Sequence, residues 1–198
     1  MRRMTMMAAI VAAGVAVAGT ARADGIDDKK ITVGADAQFV IPVGDMSNAT
    51  GPQIGVLVRG GYRVIPPLEI TARIGYLAGL SKSQTAGGVT VSDSISNIPI
   101  WVGARYFLMN APAGPYGAAE IGVNAMTGHS SGTISGVSES ASNGITREGF
   151  NLGVGYVLSP DLPIDVRVQF SDFNLLGQDS GEKTLLGIGI SAGYSFFF

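Results

Sequence analysis

The feature that most constrains this chain is a hydrophobic alternation of period two, which recurs from residue 31 to residue 198. Apolar and polar residues change sides at each step, as they do in β-strands that bury one face. Clusters of Gly, Pro, Asn and Ser interrupt the alternation and divide it into eight segments. The predicted strands are Ile31–Ile41, Gln53–Val64, Leu68–Leu80, Ile98–Leu108, Pro115–Ala125, Phe150–Leu158, Ile164–Phe170 and Thr184–Phe198.

Charged side chains fall on only one face of these predicted strands. In the third segment, Leu68, Ile70 and Ile74 share one face, whereas Glu69 and Arg73 lie on the other. The same assignment in every segment puts all nine charged residues on the less apolar face. These residues are Asp36, Arg59, Arg63, Glu69, Arg73, Arg105, Glu120, Asp165 and Arg167.

A soluble β-barrel would show the same alternation, so other features must show whether the outer surface of the barrel faces water or lipid. The connections alternate between long and short, as in barrels with short periplasmic turns and longer outer loops. The polar face contains many glycines, which suit a narrow interior crowded by charged side chains. Aromatic residues on the apolar face form two groups at opposite ends of the strands, as at two lipid–water interfaces. We therefore predict an all-β, eight-stranded antiparallel up-and-down transmembrane β-barrel, because an even strand count closes the sheet without an edge in lipid.

The first 23 residues have the features of a secretory signal peptide. Arg2 and Arg3 give a basic start, residues 8–19 form a short apolar core, and Ala21-Arg22-Ala23 is a small-x-small cleavage site. This pattern predicts a signal peptide at 1–23 and an outer-membrane β-barrel domain at 24–198. The expected location is the outer membrane of a Gram-negative-type envelope.

Two stretches resemble a known family. They are Ile98-Pro99-Ile100-Trp101-Val102-Gly103-Ala104-Arg105-Tyr106-Phe107-Leu108 and Gly114-Pro115-Tyr116-Gly117-Ala118-Ala119-Glu120-Ile121-Gly122. Both resemble the fourth and fifth strands of small outer-membrane β-barrels of the OmpA/OmpX-like superfamily. The ending, with Tyr194, Phe196 and Phe198, is similar to the aromatic signal that such proteins present to the barrel-assembly machinery. The resemblance implies a fold more firmly than an activity, because this family includes structural barrels, adhesion and immune-evasion proteins and a few lipid-modifying enzymes.

Composition excludes several classes of function. The chain has no Cys, which excludes a thiolate site, and its single His argues against a His-rich metal site. No cofactor is expected. Its 13 basic and 15 acidic residues do not form the basic surface that nucleic acid requires. The expected partners are outer-membrane lipid and lipopolysaccharide, with the chain itself a monomer.

The nine charged residues are expected to pair inside the barrel, because an eight-stranded interior is only wide enough for side chains. We predict contacts of Arg63 with Glu69, and of Arg73 or Arg105 with Glu120. The alternative is a narrow channel with a polar pathway past Arg73, Arg105 and Glu120. Above these charges the inward face becomes apolar and is expected to be filled by packing. Its residues are Val40, Leu57, Leu77, Trp101 and Phe173.

The lone histidine raises an enzymatic alternative. His129 and Ser131, with Glu139 or Glu148, supply the groups of a Ser-His-carboxylate hydrolase. The His-x-Ser spacing is similar to that of outer-membrane lipid A deacylases. However, these residues lie in a stretch rich in Ser, Gly and Asn, where a neighbouring serine is expected from composition. We therefore predict no enzymatic activity and keep the lipid A hydrolase as the alternative.

Two polar segments, Ser81–Asn97 and Met126–Gly149, are predicted to be long extracellular loops. Loops on a rigid scaffold commonly carry function. The sequence therefore predicts a structural or surface-interaction role, with loops 81–97 and 126–149 available for adhesion or ligand contact.

Overall fold

The computed structural model describes residues 30–86, 89–109, 112–134, 137–175 and 185–198. The predicted signal peptide at 1–23 lies outside these residues. Within the described part the chain forms nine strands and one short helix, α1 (Met46–Ala49). The strands are β1 (Ile31–Val43), β2 (Gln53–Ile65), β3 (Leu68–Gly79), β4 (Lys82–Ala86), β5 (Val89–Phe107), β6 (Gly114–Ile134), β7 (Val137–Val157), β8 (Ile164–Asp172) and β9 (Leu186–Phe197).

Eight of the described strands close into a ring. Neighbours pair antiparallel, β3 pairs with β5, and β9 pairs back with β1. The last contact aligns Thr32 with Phe197 and Val43 with Leu186. The short strand β4 lies outside the ring and pairs with β5 alone among the described strands. The predicted eight-stranded antiparallel up-and-down barrel is confirmed.

The barrel exposes apolar side chains and buries charged ones. Ile121 and Val154 are 65% and 67% exposed on the outside, whereas Arg105 and Glu69 are fully buried inside. This distribution is the reverse of that in a soluble protein, where large apolar patches are rare on the surface and charges are rarely buried. The outer surface therefore matches an apolar solvent rather than water. In the part of the chain that the structure describes, no helix is long and apolar enough to cross a membrane.

The prediction that residues 81–97 and 126–149 are loops was wrong for most of their length. Strand β5 begins at Val89, β6 continues to Ile134 and β7 begins at Val137, so most of the two segments is regular sheet. The register of β5 with β6 and of β6 with β7 is continuous, without a bulge. We call the part of the sheet beyond the barrel the hairpin extension; it consists of β4 and residues 89–97, 126–134 and 137–149.

The two ends of the barrel differ in their connections. Short turns after β2, β5 and β7 lie at the end where β1 starts and β9 finishes. At this end Ile31 and Phe198 exchange backbone hydrogen bonds of 3.0 and 2.8 Å. The hairpin extension and α1 lie at the opposite end. This asymmetry is the one predicted for short periplasmic turns and a larger extracellular side.

A lysine on the apolar outer surface should impair the barrel. Ile121→Lys places a charge in the apolar band of β6, and we expect a loss of roughly 2–4 kcal/mol in the free energy of unfolding in lipid. The measurement is urea unfolding of barrels reconstituted in phospholipid vesicles. Ser131→Lys is the control, because it lies on the same face of β6 in the hairpin extension, where the expected change is within about 0.5 kcal/mol. Equal effects of the two substitutions would contradict the lipid-facing assignment.

Candidate functional site

The barrel interior contains a central layer of charged side chains between two apolar layers. Arg59, Arg73, Arg105 and Arg167 are each at most 2% exposed. Their acidic partners Asp36, Glu69, Glu120 and Asp165 are also at most 2% exposed. Alternation along β1, β2, β3, β5, β6 and β8 directs all eight inward, and the closed ring brings them within contact distance.

The charges nearer the turn end form a chain of alternating sign. Arg59 lies 3.2 Å from Asp36 and 2.8 Å from Asp165, measured from Nη1 to the carboxylate oxygen. Arg105 lies 2.7 Å from the same Asp165 and 2.8 Å from Glu69. Asp165 therefore pairs with two arginines. These ion pairs reach across the lumen and do not join neighbouring strands only.

Neutral side chains complete this chain of charges. Tyr116 donates its hydroxyl proton to Asp165 Oδ1 at 2.5 Å. Arg59 Nη2 donates to Ser195 Oγ at 2.6 Å. The Arg105 guanidinium also lies 5.1 Å from the centroid of the Tyr116 ring, a distance at which the cation and the ring face attract.

A second group is centred on Glu120. Its carboxylate lies 3.2 Å from Arg73 Nη2 and 3.0 Å from Arg167 Nη1. Asn151 donates to Glu120 Oε2 at 2.7 Å and accepts a hydrogen bond from Arg167 Nη2. Arg73 Nη2 also donates to Gln169 Oε1 at 3.0 Å. One carboxylate thus faces two guanidinium groups, and the amides of Asn151 and Gln169 hydrogen-bond to these charges.

The predicted pairs have different outcomes. Of the two arginines considered for Glu120, the structure places Arg73 beside it, and it places Arg105 with Glu69 and Asp165. Arg63 is half-buried and lies opposite Glu69 in the strand register. Tyr116 and Asn151 were not predicted as partners of the charges. Their inward alternation on β6 and β7 was the signal that could have found them.

An apolar layer lies above the charges, toward the hairpin extension. The predicted residues Val40, Leu57, Leu77, Trp101 and Phe173 are all buried there, each at most 2% exposed. The Trp101 and Phe173 rings pack edge to face with their centroids 6.3 Å apart. Met46 of α1 and Met126 of β6 complete the layer and were not predicted.

The helix α1 is held over this apolar layer by hydrogen bonds. Next to α1, Thr50 Oγ1 accepts the backbone N–H of Ile95 at 3.0 Å, and Gln53 Nε2 donates to the Ile95 carbonyl at 2.7 Å. Lys82 Nζ donates to the Ser47 carbonyl at 2.5 Å. The connection between β1 and β2 is therefore tied to the hairpin extension across the end of the barrel.

A smaller apolar layer lies below the charges, toward the turns. Phe107, Tyr116 and Val157 are buried there, with Phe197 packed against them. Gly155 faces this layer, where a Cβ atom would lie 2.4 Å from the Tyr116 ring. The glycine therefore leaves room for Tyr116 to fill the lumen. Three layers of buried side chains, two apolar and one charged, therefore follow one another along the interior in the described part of the barrel.

The residues of the hydrolase alternative do not converge. His129 lies opposite Ser94 and Ser142, and Ser131 follows on the same face of β6. Glu139 lies opposite Gly132 and therefore on the other face of the sheet, while Glu148 lies opposite Val123, three side-chain positions from His129 along that face. The described residues contain no group of three or more His, Cys, Asp or Glu side chains that could hold a metal ion.

Removing the histidine should leave folding and chemistry unchanged. We expect His129→Ala to alter the free energy of unfolding by no more than about 0.5 kcal/mol, because the side chain is exposed. Neither the original protein nor the variant should release fatty acid from lipid A. Release by the original chain and its loss in His129→Ala would instead establish the hydrolase alternative.

Comparisons with known proteins agree with this architecture. The family described as outer membrane protein beta-barrel domain matches residues 9–196. The chain is similar to Neisserial surface protein A, with a TM-score of 0.54, 20% identity, 85% of this chain covered and 97% of the other. It is also similar to the attachment invasion locus protein Ail of Yersinia pestis, with a TM-score of 0.50, 13% identity and the same coverages. No curated protein matches the chain.

Proposed function

Since the chain belongs to the family of the outer membrane protein beta-barrel domain, we propose that it is an outer-membrane barrel with a closed interior and a structural or surface-interaction role. The observation that supports this proposal is the burial of inward side chains in three successive layers along the barrel. A buried charge network lies between one apolar layer containing Trp101 and another containing Phe107. In this proposal the packed interior admits no solute, and interactions take place on the outside of the barrel.

The charge network supports a structural role for the interior. Each of the four carboxylates in this network lies within 3.2 Å of at least one guanidinium nitrogen. Because an unpaired buried charge is strongly destabilising, mutual pairing lets these groups hold opposite walls of the barrel together. In this proposal the network fixes the barrel, and the hairpin extension presents the surface for adhesion or ligand contact.

Export and assembly complete the proposal. Residues 1–23 are removed as the chain leaves the cell interior, and Tyr194, Phe196 and Phe198 are recognised by the barrel-assembly machinery. Tyr194 and Phe196 are 41% and 47% exposed. Their ring centroids lie 5.0 Å apart. This places an aromatic pair near the turn end of the lipid-facing surface. The barrel acts as a monomer.

The two alternatives have less support from the geometry. A narrow channel needs a path past Arg73, Arg105 and Glu120, and all three side chains are at most 2% exposed. A lipid A hydrolase needs an acid beside His129, and neither candidate glutamate lies next to it in the register.

Conductance across planar lipid bilayers tests the closed interior. Residues 24–198 are refolded, and heat-sensitive migration on gels confirms that the barrel has formed before it is added to the bilayer. We expect no steady single-channel current. Steady current from folded protein would overturn the closed interior and favour the channel. The Glu120→Ala variant is the informative comparison, because a current that changes with this residue would place permeation in the charge layer.

A further inference from the structure

The hairpin extension carries an uncharged array of hydroxyl groups on one face. Two rows cross the sheet at positions paired in the register. One row contains Ser83, Ser92, Ser131 and Ser140. The next row contains Ser94, His129 and Ser142. We call these two rows the hydroxyl face. Neighbouring strands are about 4.8 Å apart and alternate residues about 6.7 Å apart, so the groups form a regular grid.

This face is the upward continuation of the lipid-facing surface of the barrel. On β6, Ile121 and Val123 face outward, and continuous alternation directs His129 and Ser131 to the same side. On β7, Leu152 and Val154 are followed in the same way by Ser142 and Ser140. One face of the sheet therefore changes from aliphatic to hydroxyl-rich along the strands, as expected where acyl chains give way to the aqueous side of a membrane. In an outer membrane, the sugars carried by the outer-leaflet lipids stand on that side.

A shallow pocket of about 220 Å³ lies on the hydroxyl face. His129, Ser131 and Ser142 are among its lining residues, and no Lys, Arg, Asp or Glu lines it among the described residues. The volume is below the roughly 300–1,000 Å³ of pockets that enclose drug-sized ligands, so it fits a single small unit. Hydroxyl groups both donate and accept hydrogen bonds, which matches a ligand whose own polar groups are hydroxyls.

We propose that the hydroxyl face packs laterally against the uncharged sugar chains of lipopolysaccharide in the same membrane. The proposal rests on the proposed function, because it needs the hairpin extension to stand outside the membrane. Anionic groups would be recognised by Arg or Lys, and protein partners by aromatic or Arg anchors, and the pocket lining has none of these. The chemistry that remains is that of a neutral polyhydroxylated chain.

The contact is weak for one sugar and strengthened by the membrane. A neutral hydrogen bond contributes only about 0.5–1.5 kcal/mol net, so a free sugar binds poorly. Sugars attached to lipids in the same membrane are held near the face at an effective concentration in the millimolar range. The grid repeats along the strands, so successive units of one chain can contact successive rows.

The absence of native cysteine allows a direct accessibility test. Ser142→Cys places a thiol on the hydroxyl face of β7, and Asn143→Cys places one on the opposite face at the next residue. Both positions are exposed. Each variant is reconstituted into three kinds of vesicle, and folding is checked by heat-sensitive migration. The vesicles contain phospholipid alone, lipopolysaccharide with a long uncharged polysaccharide, or lipopolysaccharide truncated to its phosphate-bearing core. The rate of labelling by a maleimide is then measured.

We expect the long polysaccharide to slow labelling of Ser142→Cys about fivefold relative to phospholipid, because membrane-attached sugars occupy the face at millimolar effective concentration. The labelling rate of Asn143→Cys should stay nearly unchanged. Ser131→Ala added to Ser142→Cys should restore much of the labelling rate. The same polysaccharide released from its lipid should give no protection, which distinguishes membrane sugars from a soluble glycan.

Three results would overturn the proposal. Equal slowing at both positions would indicate general crowding, and slowing by the truncated lipopolysaccharide would assign the contact to core phosphates. Unchanged labelling of Ser142→Cys in every membrane would remove the contact altogether. In that last case, folded barrels without conductance would leave the proposed function standing, so the two failures are distinguishable.

Discussion

Replacing Glu120 by Ala should lower the free energy of unfolding by about 3–5 kcal/mol, the usual loss when one partner of a buried ion pair is removed. Glu120 lies within 3.2 Å of both Arg73 and Arg167. Its removal leaves two buried guanidinium groups without the carboxylate between them, and Asn151 loses its acceptor. Little compensation by water is expected, because the surrounding side chains are at most 2% exposed.

Urea unfolding in phospholipid vesicles measures this effect through the fluorescence of Trp101, the single tryptophan of the chain. Glu139→Ala is the matched control, because Glu139 is exposed in the hairpin extension and its loss should change stability by no more than about 0.5 kcal/mol. Glu120→Gln removes the charge but keeps the size of the side chain, so it separates the two contributions to stability. A loss below about 1 kcal/mol for Glu120→Ala would mean that the network is not important for stability.

Truncating Trp101 to Ala should also be strongly destabilising, by about 3–5 kcal/mol, as for other large aromatic side chains in packed interiors. Trp101 is 2% exposed and packs edge to face against Phe173 in the upper apolar layer. The removed ring leaves a cavity in the buried cluster that also contains Leu57 and Leu77. Because tryptophan fluorescence is lost, heat-sensitive migration in increasing urea is the appropriate readout.

Val102→Ala is the control for this truncation, since it removes apolar volume from the next residue on the opposite face. Val102 is 52% exposed on the lipid-facing surface. There lipid chains can fill the space, so we expect a loss well under that of Trp101→Ala. Similar losses at the two positions would contradict the distinction between a packed interior and a lipid-facing exterior.

The alternation of apolar and polar residues was sufficient to predict the barrel but not the length of its strands. Below the membrane surface one face of each strand meets lipid and the other meets the lumen, so the two faces differ in composition. In the hairpin extension both faces of β6 are polar, as at Ser130 and Ser131, and the period-two signal disappears. The backbone ladder nevertheless continues to Ile134 because hydrogen bonding between strands does not require an apolar face.

The same alternation predicted which charges point inward but not all of their partners. Arg73 and Glu120 were considered together because their strands were expected to lie close at similar heights. Asp165 lies on β8, whereas its partners Arg59 and Arg105 lie on β2 and β5. These contacts cross the lumen, and they depend on the stagger and curvature of the closed ring, which the pattern within a strand does not specify.

The pairing of β1 with β9 has a consequence for how the barrel forms. The strand that contains Thr32 cannot find its second neighbour until the strand that contains Phe197 has been made. Until then both backbone edges stay open, and such edges cannot rest in hydrocarbon. The entropy of closing this long loop is lost before the pairing of such distant segments can stabilise the chain, which makes folding slow. The ring should therefore close late, and assembly should be nearly all-or-none once the last strand arrives.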